Sequence, residues 1–324
     1  MTKKNNYVFL ILGLAVFASL TLFLISSKDI KNVEEVQHPV VLSTTVSVTI
    51  PDFVEFCGDQ ISLKRMDMRE RFDREVNSFT YFHSNTLLYF KRANRYFPMI
   101  EPILKENGIP SDFKYLCVIE SNLDTRALST AKAAGLWQFM EATGKSYGLE
   151  ITSDVDERYH IEKSTLAACK YFKDAYNRYG NWVDVAASYN AGMGRISSSM
   201  RDQLVDSAFD LLLVSETSRY VFRIMALKEI FENPKKYGFV LKKENLYPLV
   251  PVQLINISSD VPDLARFAKE NGINYMQLKD YNVWLRNTSL KVAPRKSYQI
   301  AVPKKEDLIY DTHKVKVHDT NWIK

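Results

Sequence analysis

Cysteine is scarce in this sequence, with only three among 324 residues. None of the three belongs to a CxxC pair or to a Cys/His spacing typical of zinc sites, and an odd number allows at most one disulfide. Cys117 and Cys169 fall in apolar helical stretches, so we interpret them as small core residues. We therefore expect neither a metal nor a cofactor.

Clustered positive charge is also lacking. The net charge is +5, and no run of Lys and Arg lies on one helix face, which argues against a nucleic-acid partner. An anionic polymer or a membrane surface would suit this charge equally well. With 46% apolar residues the chain is ordinary for a globular protein, and its length allows one substantial domain plus a smaller module.

One long apolar run stands at the N-terminus. Tyr7–Ile25 contains 19 residues and no charge, which at 1.5 Å per residue nearly spans a hydrocarbon core of about 30 Å. Lys3 and Lys4 precede it, so the rest of the chain should lie outside the cytoplasm. A cleaved signal peptide is the alternative, with Val16 and Ala18 before the cut. Because the apolar run continues past Ala18, we favour a membrane anchor over residues 1–27.

Helical periodicity dominates the middle of the chain. Residues 28–60 are predicted to be a linker, in which Val46–Ile50 could form a short strand. No convincing strand follows up to Phe231, so the domain predicted over residues 61–245 has an all-α core. The predicted helices with defined bounds are Ile61–Val76, Phe82–Phe97, Met99–Glu106, Trp182–Tyr189 and Thr217–Phe231. Two more are expected: one is capped by Ser111 and contains Glu120, and the other ends at Gly180.

A different pattern begins after Pro251. Val252–Ile257 alternates like a strand, two short helices follow at Asp263–Glu270 and Met276–Asn282, and Tyr298–Val302 closes the unit as a strand. This predicts a β-α-α-β module over residues 250–305, followed by a tail over residues 306–324. The predicted fold class is mainly α, with a helical domain, this small module and an N-terminal transmembrane helix.

Glu120 is the first candidate for chemistry. Phe113, Leu116 and Cys117 precede it by seven, four and three residues and share its helix face. The helix is apolar nearly all round and should be buried. Desolvation raises the pKa of a carboxyl there, which makes it a useful proton donor near neutral pH. The alternatives are a glutamate paired with a basic side chain, or an exposed one.

Small and polar residues surround this helix in the sequence. Seven of the eleven glycines lie between Gly108 and Gly194, and small residues permit close approach of the backbone. Trp137, Gln138 and Met140 could line a groove for sugar rings and N-acetyl groups. The alternatives are a core tryptophan at position 137 and simple helix capping around Asn190.

Several motifs together resemble a known family. Glu120-Ser121, the block Gly135–Met140 and the block Tyr189–Gly192, in this order and spacing, are similar to the lytic transglycosylases with a soluble-lytic-transglycosylase domain. The membrane-bound murein transglycosylase D subgroup matches best. Further matches to it are Asp156–Arg158, Ala167-Ala168, Glu216-Thr217 and Tyr220-Val221, and the resemblance covers about Arg71 to Phe231.

The resemblance implies a lysozyme-like helical fold that cleaves peptidoglycan glycan strands between N-acetylmuramic acid and N-acetylglucosamine. It also implies cleavage without water, which leaves 1,6-anhydromuramyl ends. The predicted anchor favours a location on the periplasmic side of the inner membrane. Glu120 matches the single catalytic acid and base. Residues at substrate-binding positions are Ser121, Ser129, Gln138, Met140, Tyr189, Asn190, Glu216 and Tyr220. Lys132 and Glu141 depart from the family pattern, and Lys132 puts the local loop shape in doubt.

Other functions stay open at this stage. A hydrolytic muramidase would need Glu216 or Asp124 to activate water. A non-catalytic glycan-binding protein of the envelope is a second alternative, and chitin is an alternative substrate. Residues 250–305 resemble a LysM module, which implies peptidoglycan binding, although Ser258–Asp260 replaces the usual Gly-Asp and a packing role is the alternative.

Overall fold

The computed structural model describes residues 46–324 of the chain. The predicted anchor Tyr7–Ile25, and with it the choice between anchor and signal peptide, lies outside the described residues. In residues 46–324, none of the helices combines the length and the apolar character needed to cross a bilayer. Residues 47–324 belong to one structural unit.

A β-hairpin lies at the start of the described chain. β1 (Phe53–Phe56) and β2 (Asp59–Ser62) pair antiparallel, with Phe53 opposite Ser62. Cys57 and Gly58 join the strands with φ angles of 55° and 92°, as in the tight two-residue turns that match the twist of a hairpin. The turn is attached to the helical core because the Cys57 backbone N–H donates to Asp112 Oδ2 at 2.7 Å.

This hairpin corrects two predictions. The strand expected at Val46–Ile50 is wrong, since those residues have no regular structure, and the predicted linker, residues 28–60, overlaps the hairpin. The helix expected from Ile61 begins instead at Met66, because Ile61 belongs to β2 and pairs with Val54. A four-residue strand with mostly polar exposed positions carries too little pattern to be distinguished from a linker.

Helices make up the chain from Met66 to Glu232. They are α1 (Met66–Tyr81), α2 (His83–Glu106), α3 (Phe113–Ser121), α4 (Glu141–Ser146), α5 (Ile161–Tyr179), α6 (Trp182–Ala191), α7 (Met193–Gln203) and α8 (Ser215–Glu232). The mainly helical fold predicted from the sequence is confirmed. Gly180 ends α5 with a φ of 71°, the left-handed conformation that a C-terminal glycine adopts without strain.

Helix α2 joins two predicted helices into one. It continues through Pro98 and Pro102, although a proline inside a helix removes a hydrogen bond and costs about 3 kcal/mol. Phe97 and Ile100, on either side of the first proline, are fully buried. Burial of such side chains contributes about 1.5–3 kcal/mol each, which offsets a large part of the cost of the two prolines.

The C-terminal residues belong to the hydrophobic core. Trp322 is buried, its Nε1 donates to the carbonyl of Phe231 at 3.0 Å, and its ring meets Phe90 edge-on at 5.4 Å. Residues 306–324 were expected to form a tail. They instead pack against the helical core. Burial of the large Trp322 ring stabilises this packing although the rest of the segment is mostly polar.

The predicted β-α-α-β module is present. It consists of β3 (Val252–Ile257), α9 (Leu264–Glu270), α10 (Tyr275–Tyr281) and β4 (Tyr298–Pro303). The two strands pair antiparallel, with Val252 opposite Pro303 and Ile257 opposite Tyr298. The module has its own small core, in which Leu264, Leu278 and Ile300 are fully buried.

The module is fixed to the helical part along one segment. The Asp156 backbone N–H donates to the Trp284 carbonyl at 2.9 Å, and the Arg286 N–H donates to the Asp154 carbonyl at 2.8 Å. The guanidinium of Arg286 lies 4.3 Å from the centre of the Tyr159 ring. Tyr159 itself is buried among apolar side chains of the module, so the two parts share one core at this contact.

His160 lies at this contact, and its titration makes the stability of the fold depend on pH. Its ring lies 5.8 Å from that of Trp284, and its Nδ1 is buried without a hydrogen-bond partner in the described chain. Burial, with a smaller contribution from Lys163, lowers the pKa of His160 from 6.5 to about 4. The unfolded chain therefore binds a proton below pH 6.5 that the folded chain does not, and stability should fall as the pH drops from 6.5 towards 4.

We expect His160→Phe, which keeps the ring and removes the titration, to abolish this part of the pH dependence. Between pH 7 and 4.5 the free energy of unfolding of the unmodified chain should fall by about 2 kcal/mol more than that of the variant. Urea unfolding at a series of pH values measures the difference. Parallel pH curves for the two proteins would contradict the prediction.

Candidate active site

Glu120 lies near the C-terminal end of α3, a helix that is largely buried in the core. α3 begins at Phe113 without a side-chain cap, so the cap predicted at Ser111 is wrong. Most residues of the helix are buried, including Leu116 and Cys117 on the face that leads to Glu120. Asn122, with a left-handed φ of 55°, ends the helix directly after this turn. Glu120 itself stays partly exposed.

The environment of Glu120 favours its neutral form. Burial raises the pKa of its carboxyl to about 7, against a usual value of 4.5. A hydrogen bond from Tyr220 and the positive charge of Arg223 act in the opposite direction, and the negative charge of Glu216 adds to the increase. Near neutral pH the group can therefore both give and take a proton, as predicted from the apolar helix face.

Tyr220 holds the carboxyl of Glu120 in place. It is only 2% exposed, and its hydroxyl donates to Oε1 of Glu120. Because Oε1 already accepts this bond, the proton of the neutral acid belongs on Oε2, the oxygen left for another partner. Burial raises the pKa of Tyr220 well above its usual value, and the nearby carboxylate adds to this, so the phenol remains a donor.

One face of α8 contributes most of these groups. Glu216, Tyr220 and Arg223 follow one another at spacings of four and three residues, which places them side by side on a helix. Sequence reasoning identified the first two and missed Arg223. The same spacing could have found it, but a single arginine among apolar residues usually indicates a solvent-facing position.

Tyr189 braces the wall beside the carboxyl. Its hydroxyl donates to the Trp137 carbonyl at 2.8 Å, and its ring packs edge-on against Tyr171 at 5.0 Å. Burial raises the pKa of Tyr189 well above its usual range, with the charge of Glu120 as the next contribution. Trp137 is fully buried and donates to Thr165 Oγ1 at 2.9 Å, so it is a core tryptophan and its side chain does not line a groove.

The loop between α3 and α4 presents three predicted substrate-binding residues. Gln138, with a φ of 49°, donates through Nε2 to the Gly135 carbonyl at 2.8 Å, which leaves its side-chain oxygen available. The Ser129 hydroxyl accepts from the Ala133 N–H at 3.0 Å and so shapes the loop. Met140 is 45% exposed.

A buried arginine that sequence reasoning left without a role fixes this loop. Arg158 pairs with Asp156 at 2.7 Å and donates to the Lys132 carbonyl at 2.8 Å and the Phe139 carbonyl at 3.2 Å. The loop packs so closely here that a Cβ on Gly135 would lie 1.9 Å from the Arg158 carbonyl oxygen. Lys132 takes a φ of 69°, the left-handed conformation that glycine adopts without strain.

Two further predicted residues occupy structural positions. Ser121 is buried, and its hydroxyl donates to the Cys117 carbonyl of its own helix at 3.0 Å, so substrate contact by this hydroxyl is without structural support. The Asn190 side-chain oxygen accepts from Thr217 Oγ1 at 2.7 Å and ties α6 to α8. Its amide nitrogen remains available, and Glu216, which precedes Thr217, is exposed.

Possible metal ligands are not gathered at this site. Across residues 46–324, no group of three or more His, Cys, Asp or Glu side chains is arranged to hold a metal ion. Cys117 and Cys169 are buried, as predicted for core residues, and burial raises the pKa of the Cys117 thiol well above its usual value.

Removing the phenol that holds Glu120 should change its titration in a defined direction. Because the hydrogen bond from Tyr220 lowers the pKa of Glu120, Tyr220→Phe should raise that pKa further above 7. Carbon-13 NMR of protein labelled at the glutamate carboxyls measures it, with Glu120→Gln to assign the signal. A pKa that falls towards 4.5 in Tyr220→Phe would show that Tyr220 mainly excludes water.

Two known domains match the chain. Residues 97–205 match the Transglycosylase SLT domain, and residues 253–306 match the Soluble lytic transglycosylase C-terminal LysM-like domain. The first match contains Glu120 and its loop, and the second covers the β-α-α-β module.

The sequence is also similar to curated proteins. It is 29% identical over 262 residues to the membrane-bound lytic murein transglycosylase D of Escherichia coli strain K12, and equally similar to that of Escherichia coli O6:H1 strain CFT073. The alignment covers 78% of this chain and 56% of each relative, so the chain spans little more than half of their length. The resemblance inferred from the motifs is thus confirmed: this chain carries a transglycosylase SLT domain followed by a LysM-like domain of the soluble lytic transglycosylases.

Proposed function

We propose that this protein is a peptidoglycan lytic transglycosylase. It cleaves the β-1,4 bond between N-acetylmuramic acid and N-acetylglucosamine and leaves a 1,6-anhydromuramyl end. The observation that carries the proposal is the Glu120 carboxyl within the SLT domain, with its pKa raised to about 7 and one oxygen held by Tyr220. The similarity to lytic murein transglycosylases supports the choice of substrate.

In the first step Glu120 acts as an acid. Oε2 gives its proton to the glycosidic oxygen while the bond between that oxygen and the muramic C1 breaks. The positive charge that develops at C1 is stabilised by the substrate's own N-acetyl group. The proton comes from a group whose pKa is about 7, so a substantial fraction of the acid is protonated near neutral pH.

In the second step the same side chain acts as a base. The Glu120 carboxylate takes the proton of the muramic C6 hydroxyl, and the hydroxyl oxygen forms a bond to C1. This closes the 1,6-anhydro ring, returns the proton to Glu120 and consumes no water. Tyr220 suits both steps, because a phenol that donates to Oε1 stabilises the carboxylate between them.

The remaining predicted residues would bind the glycan strand. The free side-chain oxygen of Gln138 and the amide nitrogen of Asn190 suit hydroxyl and N-acetyl groups, and Met140 offers an exposed apolar contact. Ser129 and Tyr189 would act mainly by shaping the loop and the wall. We propose in addition that the helices of the catalytic domain have a lysozyme-like arrangement.

Hydrolysis is the second candidate, because a carboxylate lies near Glu120. Glu216 is exposed and close enough for its charge to raise the pKa of Glu120, so it could activate a water molecule. Asp124 suits this role less well. It lies 3.7 Å from Arg92, and one of its oxygens accepts from the Arg126 N–H at 2.9 Å.

We place the catalytic domain in the cell envelope, on the periplasmic side of the inner membrane. The apolar run Tyr7–Ile25 supports a retained anchor, and the relatives' name includes the words membrane-bound. The module over residues 250–305 would bind peptidoglycan, as its match to a LysM-like domain suggests.

Substitution of Glu120 tests whether this residue is required for cleavage of the glycan strand, and substitution of Glu216 tests the hydrolytic alternative. On purified sacculi, Glu120→Gln should reduce the release of anhydromuropeptides by at least about 100-fold, because one acid and base serves both steps. Glu216→Gln should keep most of the activity, as should Glu270→Gln, an exposed glutamate on α9 that serves as the control. Mass spectrometry of the released muropeptides measures all three variants.

Two results would contradict the proposal. Near-normal turnover by Glu120→Gln would remove Glu120 from the reaction. An equal loss in Glu216→Gln, with products that carry ordinary reducing ends, would favour the hydrolytic alternative.

A further inference from the structure

Arg223 is a partly exposed arginine next to the candidate active site whose side chain has no partner of its own. It lies on α8, three residues after Tyr220 and therefore about 4.5 Å further along the helix axis. Within residues 46–324 its guanidinium forms neither an ion pair nor a hydrogen bond. Its charge and its five N–H donors are therefore available to an anionic ligand.

The groups on which the charge of Arg223 acts indicate where the guanidinium lies. Burial raises the pKa of Glu120 to about 7, and the positive charge of Arg223 acts against this increase. Burial also raises the pKa values of Tyr220 and of Tyr89 on α2, and Arg223 again acts in the opposite direction. Arg223 thus lies near both the Glu120 carboxyl and the Tyr89 hydroxyl.

Tyr89 provides a second free donor at this place. Its side chain is 6% exposed, and its hydroxyl forms no hydrogen bond with any group in the part of the chain that the structure describes. The hydroxyl oxygen is not among the buried atoms there that lack a partner, so it is open to solvent. Because burial raises its pKa, the phenol stays protonated near neutral pH and can donate to an anion.

Arg92 brings a second positive charge to Tyr89. It follows Tyr89 by three residues on α2, so the two side chains are neighbours on one helix face. Arg92 Nη1 donates to the carbonyl of Asn122 at 2.9 Å, and Asn122 ends α3 only two residues after Glu120. Arg92 therefore connects Tyr89 with the end of the helix that carries the catalytic carboxyl.

The carboxylates nearby leave Arg223 unoccupied. Asp124 lies 3.7 Å from Arg92, and its side chain is 46% exposed, so solvent weakens this ion pair. Glu216 precedes Arg223 by seven residues, or about two turns, and forms no ion pair with it. Glu120 carries no charge in the protonated form that begins the proposed reaction. Arg223 therefore stays available for the negative charge of a ligand.

We propose that Arg223 and the hydroxyl of Tyr89, with Arg92 beside them, form a carboxylate site that binds the O3 substituent of the muramic acid unit. Of the two sugars that flank the scissile bond, only muramic acid has this substituent. Its carboxylate is the lactyl group itself in strands without peptides, or an acidic residue of the stem peptide where one is attached. The inference rests on the proposed function for the identity of the polymer.

This carboxylate site would determine which sugar is presented to Glu120. A guanidinium binds a carboxylate through two parallel hydrogen bonds, which fix the orientation of the ligand as well as its position. Tyr220, one turn before Arg223, holds Oε1 of Glu120. A muramic unit held through its O3 substituent therefore has its own C1 near the acid, whereas N-acetylglucosamine or a chitin unit lacks the anchor.

Binding of three defined tetrasaccharides to the full chain tests the site. All three alternate N-acetylglucosamine with muramic acid. The first has free lactyl carboxylates, the second has their methyl esters, and in the third each lactyl group carries the dipeptide L-Ala-D-Glu. The Glu120→Gln form prevents turnover, and isothermal titration calorimetry measures the affinities. We expect the first or the third probe to bind at least about tenfold more tightly than the neutral ester, and the tighter of the two identifies the source of the carboxylate.

Substitutions in the same Glu120→Gln form assign this preference to the site. Arg223→Gln should bind the charged probes no more tightly than the methyl ester, and Arg223→Lys, which keeps the charge but loses the paired hydrogen bonds, should keep part of the preference. Tyr89→Phe removes only a hydroxyl and should reduce the preference about threefold. Arg178→Gln is the matched control, because Arg178 is exposed on α5 and forms no ion pair in the described chain. It should keep the full preference.

Two results would overturn the inference. One is equal affinity of the charged probes and the methyl ester in the Glu120→Gln form. The other is a preference for the charged probes that survives Arg223→Gln. Unchanged affinity of Arg223→Gln for the methyl ester shows that the variant is folded, and if that affinity is lost, the preference of Arg223→Lys relative to Arg178→Gln decides.

The outcome is separable from that of the proposed function. If the unmodified protein releases anhydromuropeptides from sacculi while no probe is preferred, this inference alone is overturned. If a charged probe is preferred through Arg223 while sacculi remain uncut, the carboxylate site stands and the proposed function falls.

Discussion

The hydrogen bond between Tyr220 and Glu120 is the interaction on which the site depends. A carboxyl that loses hydration at the edge of a core becomes a weaker acid, and a phenol that donates to it limits this effect. The balance puts the pKa of Glu120 near 7, where one group can act as acid and then as base. Most residues of the two helices that set this balance, α3 and α8, are buried in the core.

Close packing and hydrogen bonds also fix the shape of the loop between α3 and α4. Gly135 passes so close to the backbone at Arg158 that no side chain fits, and Arg158 in turn holds the carbonyls of Lys132 and Phe139. Lys132 accepts a left-handed backbone that costs about 1–2 kcal/mol for a residue with a Cβ. The Arg158 side chain makes four hydrogen bonds, two to Asp156 and one each to the carbonyls of Lys132 and Phe139, and these offset that cost.

The sequence indicated the residues of the candidate site more readily than the residues that hold them in place. The apolar face of α3 indicated a desolvated Glu120, and the motif spacing indicated Tyr220 and Gln138. Arg158 and Arg223 act through contacts between distant segments, which periodicity does not show. The burial of Trp322 and the hairpin at Cys57-Gly58 were missed because short polar segments resemble linkers until tertiary packing is known. The core position of Trp137, left open by the sequence, depended on the same packing.

The central claim is that Glu120 alone carries both proton transfers and that water takes no part. Cleavage of sacculi in water enriched in oxygen-18 tests it directly, with mass spectrometry of the released muropeptides. The account predicts ends without oxygen-18 that are lighter than reducing ends by one water molecule. Reducing ends that contain oxygen-18 would contradict it and would make the protein a hydrolase.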